Sequence, residues 1–156
     1  MNVPMLVERD HLLSELVVAL DAALTGRGRL VFIGGEAGVG KSALVRALID
    51  AARGRGVVRV GGVDNVTTAD ALAAFQDAVP EIAPQLAAGG DRVRLFRAIR
   101  EALAASPGLL VLEDLHWADE ATLDALRFLG RRLDGLPVLI VATYRHDEVY
   151  LVGEGV

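Results

Sequence analysis

The sequence has no cysteine, which excludes disulfides and thiolate metal sites. It has no apolar run approaching the ~20 residues a helix needs to cross a bilayer. The opening Met1-Asn2-Val3-Pro4-Met5 lacks the basic and apolar regions of a signal peptide, so a cytoplasmic protein is expected. Basic clusters are scarce as well. Beyond Arg27/Arg29 and Arg131/Arg132 no group of cations stands together, and the net charge is −5. That balance argues against direct nucleic-acid binding by this segment. Aromatic residues make up only 4% of the chain, yet 53% of it is hydrophobic. A length of 156 residues leaves room for one domain with a real core, and 1–156 is expected to be a single unit.

Against these absences stands Gly35-Glu36-Ala37-Gly38-Val39-Gly40-Lys41-Ser42, a full match to the phosphate-loop pattern G-x-x-x-x-G-K-[ST]. The apolar run Leu30-Val31-Phe32-Ile33 precedes it, and Leu44, Val45, Leu48 and Ile49 follow it at helical spacing. Strand, glycine loop and helix form the context that gives the motif meaning. Glycines let the backbone turn its N–H groups inward, and the positive end of the next helix adds to the anion pocket. Lys41 is suited to bridge the β- and γ-phosphates and the Ser42 hydroxyl to coordinate Mg²⁺.

Upstream, Asp10 is positioned to cap a helix whose apolar stripe is Leu12, Leu13, Leu16, Val17 and Leu20, over residues 10–25. His11 should face solvent. Val57 to Val60 reads as a second strand. A short helix is expected over 70–79, capped by Thr68, with Leu72, Phe75 and Val79 turned inward. Pro80 and Pro84 interrupt the pattern. A longer helix over 91–105 has Asp91 as its cap and Val93, Leu95, Phe96, Ile99 and Leu103 as its apolar positions.

Leu109-Leu110-Val111-Leu112 has the composition of a central parallel strand buried on both faces. Glu113 and Asp114 follow at once. Ligands in open α/β sheets bind at the carboxyl ends of the strands, so one of these acids is suited to hold Mg²⁺ and the other to polarise water. After Leu115-His116-Trp117-Ala118, Asp119 is placed as the cap of a helix over 120–133 striped by Leu123, Leu126, Leu129 and Leu133. The run Val138 to Thr143 is a further buried strand, with Thr143, Tyr144 and Arg145 at its carboxyl end. A polar or cationic group there can sense the γ-phosphate.

Taken in order, Val7-Glu8-Arg9, the phosphate loop, Leu112-Glu113-Asp114-Leu115-His116-Trp117-Ala118-Asp119 and Ala142-Thr143-Tyr144-Arg145 resemble the AAA-like (Orc1-like) ATPase domain of large LuxR-type bacterial regulators, members of the signal-transduction ATPases with numerous domains (STAND). The resemblance spans roughly residues 6–148. It implies a Walker A motif over 35–42, a Walker B strand over 109–114 and a sensor strand over 138–145, with Val7 and Arg9 near adenine and Arg145 near the phosphates. The fold implied is a three-layer α/β phosphate-loop sheet ordered 5-1-4-3-2, with the strand at Leu109 third and that at Val138 fourth. The family continues into a fifth strand, a winged-helix domain and a DNA-binding module. The chain therefore resembles a truncated module lacking the last strand and lid, with the edge of the phosphate-loop strand exposed and self-association invited.

The function implied is an ATP- and Mg²⁺-dependent switch with weak ATPase activity. Glu113, Asp114 and Lys41 would be its catalytic residues, and Ser42, Glu113 and Asp114 its metal ligands. ATP and ADP would be its partners, with DNA reached only through other domains. The alternative is a non-hydrolytic nucleotide-binding or interaction module. A small-molecule kinase shares the phosphate loop, but its Arg-rich lid has no counterpart after Leu109 beyond Arg131-Arg132.

Overall fold

The structure is a computed structural model. It describes residues 5–35, 40–62, 72–115, 120–144 and 150–154, and for residues 5–8 and 150–154 it describes the backbone alone. The chain begins with helix α1 (Met5–Leu24), strand β1 (Arg29–Gly34), helix α2 (Lys41–Ala52) and strand β2 (Val57–Gly62). Helix α3 (Ala73–Ala78), a 3₁₀ turn (Pro80–Ile82), helix α4 (Ala83–Ala87) and helix α5 (Arg92–Ala105) follow. Strand β3 (Gly108–Glu113), helix α6 (Glu120–Gly130), strand β4 (Val138–Tyr144) and strand β5 (Tyr150–Glu154) complete the order.

The strands form one sheet in the order β2-β3-β4-β1-β5, the 5-1-4-3-2 arrangement the resemblance implies. The first four are parallel, and β5 runs antiparallel to β1. Side-chain alternation divides the core into two layers. On one face Val31, Ile33, Leu109, Val111, Leu139 and Val141 meet Leu16 and Leu20 of α1 and Leu44, Val45 and Leu48 of α2. On the other, Leu30, Leu110, Leu112, Ile140 and Ala142 meet Phe75, Phe96, Ile99, Leu126 and Leu129. Central strands with apolar residues on both faces require helices on both sides, so the α/β three-layer reading holds.

The expected absence of a fifth strand is overturned. Residues 150–154 pair with β1, with Tyr150 opposite Gly34 and Glu154 opposite Leu30. The direction follows from the length of the connection. Tyr144 also lies opposite Gly34, so only residues 145–149 separate two positions on the same row of the sheet. A parallel return would need about a dozen residues or more.

Other boundaries moved. Helix α1 begins at Met5, and Asp10 is an interior residue whose carbonyl accepts the Ser14 hydroxyl at 3.0 Å. Gly26 ends α1 in the left-handed region at φ 97°, and its N–H donates to Ala23 O at 2.8 Å. The expected helix over 70–79 is described only as α3, after Leu72 at φ 61°. Leu72, Phe75 and Val79 are buried as expected. Asp91 caps α5, its carboxylate accepting the Arg94 N–H at 2.9 Å, but Val93 is 47% exposed and does not join the stripe. Helix α6 ends at Gly130, so buried Leu133 lies beyond it, while Leu123 is partly exposed. The caps assigned to Thr68 and Asp119 lie outside the described residues. Among the described residues, no helix is long and apolar enough to cross a membrane.

Candidate nucleotide site

Strand β1 delivers the chain to Gly35, which is buried and donates its N–H to Tyr144 O at 3.2 Å. The chain re-enters the description at Gly40, the N-cap of α2, at φ 94°. That left-handed conformation is one that glycine adopts freely and a β-carbon resists. The Leu44 N–H donates to Gly40 O at 2.9 Å, closing the first turn. Lys41 and Ser42 open α2, with Lys41 half-buried and Ser42 exposed. The Lys41 Nζ donates to Tyr144 O at 2.9 Å. One carbonyl at the tip of β4 thus receives donors from both flanks of the phosphate loop. Glu36, Ala37, Gly38 and Val39 lie outside the described residues.

The fit at this corner is close. A β-carbon on Gly34 would stand 2.8 Å from the Tyr144 ring, and that ring meets Phe32 edge-on at 6.4 Å between centroids. Gly34 directly follows the apolar run Leu30 to Ile33. A glycine directly after such a run was the available signal for a close neighbour.

On the other side of β4, strand β3 ends at half-buried Glu113. Burial raises its carboxyl above the usual 4.5, the Asp114 charge raises it further, and Arg46 pulls it back. Asp114 is exposed and stands in the left-handed region at φ 60°. Its N–H donates to the Thr143 Oγ1 at 3.1 Å, and Thr143 is 5% exposed. The register sets Leu112 opposite Ala142 and Ile33 opposite Thr143. The ends of β1, β3 and β4 therefore lie level, with β4 between the two motifs.

The structure thus joins Gly35, Lys41 and Asp114 through the last two residues of β4, with Glu113 next to Asp114 at the end of β3. Val7 and Arg9 lie on α1, where Arg9 is half-buried and only the backbone of Val7 is described. Arg145 lies outside the described residues, as do His116 and Trp117. His11 faces solvent and pairs with Glu15 at 3.2 Å, one turn along α1. Arg132 stacks over Phe128 at 3.8 Å, a packing contact remote from the phosphate loop in the fold. Among the described residues no three His, Cys, Asp or Glu side chains are grouped for a metal. The Ser42 hydroxyl at the start of α2 and the two acids at the end of β3 are oxygen donors, the hard type that suits Mg²⁺.

Comparison with known proteins bears on the family and the fold. An uncharacterized protein of Rhizobium meliloti (strain 1021) is 25% identical over 189 aligned positions, covering 90% of this chain. The chain spans 18% of that relative's length. Among solved structures, Drosophila ORC bound to DNA superposes with a TM-score of 0.55 at 15% identity, over 91% of this chain and 78% of that one. C. elegans PCH-2 superposes with a TM-score of 0.50 at 15% identity, over 88% of this chain and 37% of that one. At those identities the superpositions establish a shared fold. The family profile described as an AAA ATPase domain matches residues 5–141, and the chain belongs to that family.

Proposed function

We propose that this domain binds ATP with Mg²⁺ and hydrolyses it slowly, as the switch module of a multidomain cytoplasmic regulator of the LuxR type. The observation that carries the reading is the convergence on β4: Lys41 and Gly35 on the Tyr144 carbonyl, and Asp114 on the Thr143 hydroxyl. Two motifs far apart in sequence meet at the end of one strand, which supports a shared phosphate site. The regulator context rests on the Leu-His-Trp-Ala-Asp segment over 115–119 and on the larger size of the Rhizobium relative.

The residues divide the work by chemistry. The phosphate-loop N–H groups and the N-terminal end of α2 bind phosphate oxygens, and Lys41 exchanges its bond to Tyr144 O for one to phosphate. Val7 and Arg9 lie toward adenine, and Arg145 toward the γ-phosphate. Ser42 and Glu113 would hold Mg²⁺, which supplies charge neutralisation at the phosphates when bound. Glu113 fits that role, because burial and the Asp114 charge disfavour its lone carboxylate in spite of Arg46, and a cation would favour it. Asp114, exposed beyond the strand, orients the attacking water and accepts its proton.

Calorimetric titration with ATP and ADP in Mg²⁺, followed by phosphate release on the same sample, tests the reading. Binding with turnover is the expected result. Binding without turnover would replace the switch with the non-hydrolytic module. Absence of binding by a folded protein would overturn both.

A further inference from the structure

We propose that Thr143 is a positioning residue that acts through the backbone of Asp114. The inference deepens the nucleotide-site reading and rests on it for its catalytic consequence. The resemblance assigns the end of this strand to direct phosphate sensing; the geometry points elsewhere. Thr143 is buried, and its Oγ1 accepts the Asp114 N–H at 3.1 Å across from β4 to β3. Asp114 needs such a hold. At φ 60° it is one of two non-glycine residues at positive φ among those described, the other being Leu72.

Left-handed backbone is disfavoured for residues bearing a β-carbon, less so for Asp than for most, and it is secured where surrounding contacts fix it. Two contacts do so here. The Thr143 hydroxyl fixes the N–H of Asp114, and the next residue, Leu115, returns to the core at 7% exposure. Between them the backbone turns sharply, and Asp114 is left exposed off the end of β3 while Glu113 is half-buried. The hydroxyl thereby separates the roles of two adjacent acids, one held at the strand end and one in the open. Thr143 lies opposite Ile33 in the register, two residues before Gly35, so the element that holds Asp114 is the one that borders the phosphate loop.

The test uses Thr143→Val, which keeps the shape and removes the acceptor, and Thr143→Ser, which restores it. Without nucleotide, Thr143→Val is expected to lower Tm and to speed hydrogen exchange at the Asp114 amide, whose partner it removes. An Asp114 amide that exchanges no faster in Thr143→Val would overturn the clamp. With ATP and Mg²⁺, Thr143→Val is expected to leave the ATP Kd within about twofold while kcat falls about tenfold, the loss of one hydrogen bond's worth of positioning. Thr143→Ser should recover both Tm and kcat. Parallel losses in Kd and kcat would instead mean direct phosphate contact and overturn the proposal, as would unchanged turnover. The exchange measurement needs no nucleotide. It decides the clamp even in a protein that binds no ATP, a result that would remove only the nucleotide reading.

Discussion

Lys41 and Glu113 show how a single side chain is tuned by its place at the end of the sheet. Lys41 donates to a backbone carbonyl, a neutral acceptor weaker for an ammonium group than the charged phosphate proposed for it. Lys41→Ala is expected to weaken ATP binding by at least about a hundredfold in calorimetry, the scale of a charge-assisted bond. Unchanged affinity would remove the phosphate-loop role. Glu113 makes a prediction in pH. Its folded carboxyl sits above the usual 4.5 through burial first and Asp114 second. The folded state therefore holds this proton more tightly than the unfolded chain does. The stability it contributes is present below 4.5 and is lost as pH rises through the raised folded value. Denaturant midpoints of the ligand-free protein should fall over that interval, and Glu113→Gln should flatten the fall. Equal pH profiles for the two proteins would refute the assignment. The acids were legible from their place after an apolar strand. Their different exposure was not, because it depends on a turn held by a residue of another strand.

At the scale of elements, local signals predicted well where partners were close in sequence. Asp91 was recognisable as the cap of α5 because the Arg94 N–H it satisfies is three residues away. Asp91→Ala is expected to cost about 1 kcal/mol in chemical denaturation, typical of a lost N-cap. Val93 and Leu123 failed as stripe members for a different reason: periodicity marks a face, but the width of the buried arc depends on what packs against it. The junction of β2 and α3 gives a second test. A β-carbon on Gly61 would come within 2.1 Å of Ala74 O, so helix and strand approach as closely as a glycine allows. Gly61→Ala is expected to destabilise by about 1–3 kcal/mol, the cost of overpacking, and a smaller effect would mean that α3 yields easily.

Across the whole molecule, β5 determines which edges the sheet presents. Without it, β1 would carry the phosphate loop at one end and a row of unpaired N–H and C=O groups along its side. Such an edge templates association with other chains. Removing residues 150–156 is therefore expected to raise the apparent mass in light scattering and to lower solubility. A truncated protein that behaves like the parent would show that β5 is dispensable for the edge. The same strand explains why the sequence reading went astray here. Tyr150 to Glu154 is short and ends in a glycine and an acid, so its pattern is too weak to announce a strand. The pairing with β1 supplies what the pattern lacks.

By itself the sequence determined the phosphate loop, the strands of the parallel sheet, the helix stripes and the acid pair. Each is written in contiguous residues with a steric or periodic requirement of its own. Only the tertiary structure decided how these parts act together. Lys41 and the carbonyl it donates to are 103 positions apart, and Asp114 and the hydroxyl that holds it are 29 apart. No local pattern encodes contacts between strands that become neighbours only when the sheet closes in the order 5-1-4-3-2. Parallel pairing places these distant residues level with one another, and burial then gives the neighbouring acids Glu113 and Asp114 different exposure.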